Sequence, residues 1–186
     1  MPAISRFIGL ALLAVVCAAC VKSNSVPLIY ALGPDKAGCV GELVIRPFSD
    51  DRGKASLGVD ADGEDIVKSG DAADWVGWAL FDELTAAGCQ PKYRTMATDV
   101  GDLPTVTGQL LELHLNQTGT TTYSASVSVR LEVSRAGETL HVEKLSSQVE
   151  DVVLPGYSSR REILAEALRG LMNEAVPSVA NALNRK

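Results

Sequence analysis

Four groups of side chains in this 186-residue chain have the types and spacing to do chemistry. They are a carboxylate run at Asp60-Ala61-Asp62-Gly63-Glu64-Asp65, an Asp51-Arg52 pair, the histidines His114 and His141, and cysteines at positions 17, 20, 39 and 89. The carboxylate run resembles a calcium loop only briefly. An EF-hand loop needs Gly at its sixth position and Glu at its twelfth, whereas here Gly is fourth and the twelfth residue is Asp71. A solvated acidic loop is the better reading. Asp51 and Arg52, following a strand, read as a pair that holds a loop, with Asp50, Asp51 and Arg52 as an enzyme site in the alternative. Each histidine stands alone on a strand pattern and reads as a surface or satisfied sheet residue. No Gly-x-Ser-x-Gly elbow, phosphate-cradling glycine loop or HExxH helix occurs. Asn116-Gln117-Thr118 matches a glycosylation pattern without implying one. The sequence thus predicts no enzyme, no metal site and no catalytic residue.

The elements that must position these groups follow from apolar period. Residues 40–48 read as a first strand, and 49–70 as a polar loop rich in Asp and Gly. Residues 71–87 form a helix with the stripe Ala73, Val76, Leu80, Leu84 and Ala87. Asp71 and Asp74 suit its positive end, and Gly88 its stop. At about 100° per residue, Trp75 and Trp78 fall away from that stripe. Two indoles opposite a core face predict an anchor for a partner surface; the alternative is that the 49–70 loop or the preceding tether folds over them.

Residues 89–95 read as a weaker strand. In 105–117, Leu111, Leu113 and Leu115 share a face, with His114 opposite. In 121–134, Tyr123, Ala125, Val127, Val129, Leu131 and Val133 occupy every odd position, and 139–149 is a last strand after a turn at Ala136-Gly137. Period two sustained this long predicts antiparallel strands with one wet face. Ser159 and Glu162 have capping-box spacing. Leu164, Leu168, Leu171, Ala175, Val179 and Leu183 then line a closing helix, which Pro177 should kink or divide. The predicted fold is α+β, an antiparallel sheet of four to five strands with two helices on one face, in the order β-α-β-β-β-β-α.

The cysteines decide the compartment. Arg6 and the apolar run 7–19 describe an export signal, since a spanning helix needs about 20 apolar residues. Val16-Cys17-Ala18-Ala19-Cys20 resembles the lipobox of bacterial lipoproteins, which places small residues immediately before a cysteine. That resemblance implies a diacylglycerol on the Cys20 thiol and cleavage that leaves Cys20 first. The alternative is an ordinary secretory signal cut after Ala18 or Ala19. Residues 1–19 are then the signal, 20–38 a tether and 39–186 a single periplasmic domain. Loss of Arg6 moves the formal net charge from −6 to −7. This acidity argues against nucleic acid and against electrostatic hold on anionic lipid. In an oxidising compartment Cys39 and Cys89 are expected to bridge, closing a loop worth on the order of 4 kcal/mol, with two buried free thiols as the alternative.

The layout with its anchor resembles the YajG-like lipoproteins of the Gram-negative envelope. The residues that carry the likeness are Asp51-Arg52 followed by Leu57-Gly58 after Pro47-Phe48, and the helix segment from Trp78 to Gly88. That family implies no reaction and no catalytic residue, only a periplasmic helper or adaptor. The segment Ile29-Tyr30-Ala31-Leu32-Gly33-Pro34 looks like the Tyr-x-Leu stretch of auxiliary lipoproteins of ABC-type lipid transporters, a second resemblance. Either implies a membrane contact through lipid on Cys20, an envelope protein or lipid as partner, and no cofactor beyond that lipid. Val21 in place of Asp after Cys20 implies sorting to the outer membrane.

Overall fold

In the computed structural model, residues 24–33, 38–96, 98–154 and 156–184 are described. The signal 1–19 and Cys20 lie outside them. In chain order the elements are β1 (Ser25–Pro27), β2 (Glu42–Ile45), β3 (Ser49–Asp50), β4 (Gly58–Val59), β5 (Asp65–Ser69), α1 (Ala72–Ala86), β6 (Gln90–Tyr93), β7 (Thr105–Gln117), β8 (Thr122–Arg135), β9 (Glu138–Val152) and α2 (Arg160–Leu183). The fold is α+β. One sheet runs β6-β2-β7-β8-β9 with β3 also on β7, and a small sheet runs β1-β5-β4. Helix α1 packs on β6, β7 and β3, α2 packs on β8 and β9, and the two helices touch.

The long strands behave as their period predicts. Ala125, Val127, Val129, Leu131 and Val133 of β8 are buried, facing Leu164, Leu168, Leu171, Ala175 and Val179 of α2 across one contiguous core. The pattern in β7 differs from expectation. The register shifts between Leu110 and Glu112, so Val106 and Leu110 enter the core before the shift and Leu113 and Leu115 after it. A single extra residue reverses which parity faces inward, and Leu110 takes the core place expected of Leu111.

The sheet is mixed. β7, β8 and β9 are antiparallel, but β2 pairs parallel with both β6 and β7, and β3 pairs parallel with β7. The reason is topological: β2 and β6 are joined through α1, and a crossover helix returns the chain in the same direction. The expected polar loop 49–70 contains three short strands, anchored by Leu57 and Ile66 in the core. The expected tether is, over 24–33, part of the body: Ser25 to Pro27 pair with Val67 to Ser69.

Helix ends follow local chemistry. The Asp71 carboxylate accepts from the Asp74 N–H at 2.9 Å, and the Ser159 N–H donates to Glu162 at 2.7 Å. Helix α2 is undivided through Pro177, which is exposed. The lost N–H falls on the solvent side, while Met172, Ala175, Val176 and Val179 hold both flanks in the core. No helix among the described residues is long and apolar enough to cross a membrane.

Candidate functional site

The two indoles part company. Trp75 is 8% exposed and belongs to the core, whereas Trp78 is 47% exposed. The expectation of two exposed indoles is therefore corrected for Trp75. Trp75, Ala79 and Glu83 stand at i, i+4 and i+8, one inclined row on the helix. That row ends under the N-terminal segment, because the buried carboxyl of Glu83 accepts from the Tyr30 hydroxyl and from the Gly33 N–H at 2.7 Å. Burial, and then the Glu83 carboxyl, push the Tyr30 hydroxyl well above the usual phenol range.

Trp78 stays outside but is held rigidly. Its ring stacks on Tyr93 of β6, with centroids 4.4 Å apart and planes 8° from parallel, and meets the edge of Phe81 at 5.4 Å. The Tyr93 hydroxyl reaches back over α1 and donates to Asp74 at 3.3 Å. Gly77 permits this crossing, since a Cβ there would lie 3.1 Å from the Tyr93 oxygen. Burial, with Asp74 next, pushes the Tyr93 hydroxyl up to about 12, so it remains a donor. The result is a half-exposed aromatic surface whose members hold one another in place.

The expected pair Asp51-Arg52 is not a pair. Arg52 makes a bidentate contact with Asp50, Nε to Oδ1 and Nη2 to Oδ2, both at 2.7 Å. The Arg52 side chain is only 5% exposed, and its hydrogen bond holds the Asp50 carboxyl below the usual carboxylate range. Asp51 is exposed, and its N–H joins the sheet at the Leu110 carbonyl, 2.9 Å away. The adjoining open cleft of about 510 Å³ is lined by Met96, Arg130 and Glu132 among others and includes neither Asp51, Arg52 nor a histidine.

One triad of residue types emerges that the sequence did not announce. His141 Nε2 lies 3.0 Å from Ser178 Oγ and 3.2 Å from Glu143 Oε2, and Ser178 Oγ donates to the same Glu143 oxygen at 2.5 Å. A hydrolytic triad places the acid on Nδ1 and leaves the serine proton to Nε2. Here the serine proton goes to the acid, and the serine and the acid both meet the same imidazole nitrogen. The cluster braces β9 to α2 across 35 residues of sequence, a separation that no local pattern reveals.

The acidic loop is built on itself. Asp60 Oδ1 accepts from the Asp62 and Glu64 N–H groups at 3.0 and 2.9 Å, and Oδ2 accepts from Asn24 at 3.0 Å. Those oxygens serve N–H donors, as in an Asx turn. No group of three metal-ligating side chains occurs among the described residues. His114, with Asn116, lines an open cleft beside Lys54 and Asp65, and Asn116 accepts from the Val59 N–H at 3.3 Å.

Cys39 and Cys89 are joined in a disulfide with a Cα separation of 4.9 Å. The flanking chain is fastened by Cys39 N–H to Ala87 O and Cys89 N–H to Leu84 O, at 3.1 and 3.0 Å. Gly88, at φ +100°, makes the turn, and a Cβ there would lie 2.9 Å from the Cys39 carbonyl.

No family model matches the chain, and no curated protein matches it. Protein XCC0632 from Xanthomonas campestris, of the family DUF330, is similar with a TM-score of 0.60 at 10% identity, over 85% of this chain and 95% of that one. A second crystal structure, of an uncharacterized protein, gives 0.50 at 11% identity over 83% and 99%. A minor lipoprotein from Acinetobacter baumannii reaches 0.44 at 11% identity over 74% and 92%, too distant to carry an argument. The chain shares an α+β fold with the first two of these proteins, and at such identities the likeness shows that fold alone.

Proposed function

We propose that this chain is a lipid-anchored lipoprotein of the bacterial envelope, held by acylated Cys20 on the periplasmic side of the outer membrane, and that it binds a partner protein without doing chemistry. The observation that carries the binding reading is the half-exposed aromatic surface in which Trp78 stacks on Tyr93 and meets the edge of Phe81. Ordered aromatic rings lose little freedom on association and concentrate binding energy. The closed geometry of the Ser178 brace, in which the serine proton goes to Glu143, supports a non-catalytic reading. The test is a pull-down of the full-length protein from its own envelope. Trp78→Ala should keep the native circular dichroism and lose the co-purifying partner, and retention of that partner at wild-type level would reject the site.

A second reading, an auxiliary subunit of an ABC-type lipid transporter, is favoured by one observation. In the Tyr-x-Leu segment, Tyr30 is docked on Glu83 while Leu32 is exposed. Co-purification with an inner-membrane permease would decide for it.

A further inference from the structure

The chain enters the described fold at Asn24, and that entry is clamped. The Asn24 side chain donates to Asp60 and to the Asp65 carbonyl, each at 3.0 Å, and accepts from Arg160, the first residue of α2. Its carbonyl takes the Val67 N–H at 3.1 Å. Cys20 precedes Asn24 by four residues. Even fully extended, four residues reach at most about 14 Å. The β9 strand from Val152 to Glu138 is about 46 Å long at roughly 3.3 Å per residue. A lipid on Cys20 therefore holds one end of the body, and no other, against the bilayer.

That end carries an unusual turn. Between β9 and α2, Tyr157 is 90% exposed and Leu154 50% exposed. They do not hang loose. The Leu154 N–H donates to Ser158 Oγ at 2.9 Å, Ser158 Oγ donates to the Val152 carbonyl at 2.8 Å, and the Tyr157 N–H returns to the Leu154 carbonyl at 3.0 Å. Arg160 and Arg161 follow directly, the latter in an exposed ion pair with Glu162 at 4.0 Å. A tyrosine and a leucine beside two guanidinium groups are the composition that settles at a membrane–water boundary. On the other flank of Asn24 lies the acidic loop 60–65, which anionic head groups repel.

We propose that the turn carrying Leu154 and Tyr157, with Arg160 and Arg161 beside it, seats on the headgroup layer of the bilayer that holds the Cys20 lipid. The proposal rests on the acylation of Cys20. The body then stands with the acidic loop tilted off the surface and the far end of the ribbon, at the Ala136-Gly137 hairpin, directed away from the membrane.

The test uses the full-length lipoprotein in vesicles of phosphatidylethanolamine and phosphatidylglycerol with brominated acyl chains. Tyr157→Trp adds an indole at the turn and Glu138→Trp adds one at the far hairpin, each read against the unsubstituted protein as blank. Both positions are exposed, and circular dichroism checks the fold. The added emission of Tyr157→Trp should be blue-shifted and largely quenched, while that of Glu138→Trp stays unquenched. Equal, unquenched emission at both sites in a protein whose mass shows the acyl chains overturns the seating and leaves the anchor intact. Quenching at both sites overturns it too, because the ribbon would then lie flat. A mass without acyl chains overturns both the anchor and the seat.

Discussion

The two halves of the fold are held by different means. The ribbon β7–β9 has strands of 13, 14 and 15 residues paired antiparallel over nearly their whole length, with one register shift in each pairing, and is closed on one face by α2. The other half, β1 to β6 with α1, has strands of two to five residues, several paired in parallel over two positions. Such strands make few ladder bonds, and side chains complete the structure. The disulfide ties the start of β2 to the end of α1, Arg46 donates to the carbonyls of Thr95 and Thr98, Arg52 grips Asp50, and Glu83 holds Tyr30 and Gly33. A long patterned strand stabilises itself with its neighbours, whereas a short one depends on cross-chain locks.

The largest test of this contrast is the disulfide. Replacing Cys39 and Cys89 by Ala frees a loop of 50 residues and should cost about 4 kcal/mol. Hydrogen exchange should rise in α1, β2 and β6 and change least in β8 and β9; a uniform rise would show that the halves unfold as one unit. Next comes the seam between them. A Cβ at Gly108 of β7 would lie 2.3 to 2.5 Å from the buried Phe48 ring, so Gly108→Val should destabilise by about 3 kcal/mol, measured by urea unfolding. An unchanged midpoint would mean that the ring swings aside freely.

Tyr30→Phe removes one of the donors to buried Glu83 and should cost about 2 kcal/mol. It should also raise proteolysis within 24–33 without touching the ribbon.

The smallest effect is acid sensitivity. Arg52 holds Asp50 below its usual range, and Ser178, then His141, do the same for Glu143. Groups with lowered folded pKa values contribute stability above about pH 4, and lose it as the pH falls through those folded values. Both side chains are about a third or more exposed, so solvent screening keeps each contribution small. Asp50→Asn and Glu143→Gln should each flatten the decline of the urea midpoint below pH 4. Asp50→Asn should also loosen the short-strand half, and Glu143→Gln the brace on α2.

Legibility in the sequence follows the same division. The ribbon and both helices are readable within a residue or three, because β8 alternates over many positions and the apolar stripe of α2 repeats from Leu164 to Leu183. The short-strand half was not. Leu57 and Ile66 lie within a polar stretch, and nothing local shows that both are buried in the core. A single apolar stripe leaves Trp75 outside, whereas α1 is covered on a second side by residues 28–33. The Arg52 partner was shifted by one position, from Asp51 to Asp50. Alternation along β3 turns those neighbours to opposite sides.

By itself the sequence determined what depends on period and local chemistry: the long strands, the two helices and their caps. Tertiary structure alone decided what depends on closure over distance. It decided the parallel pairing of β2, the bulge that admits Leu110, which indole is buried, and the meeting of Ser178 with Glu143 and His141. A repeating pattern is written in neighbouring residues, but contacts made across dozens of residues depend on how the chain turns between them.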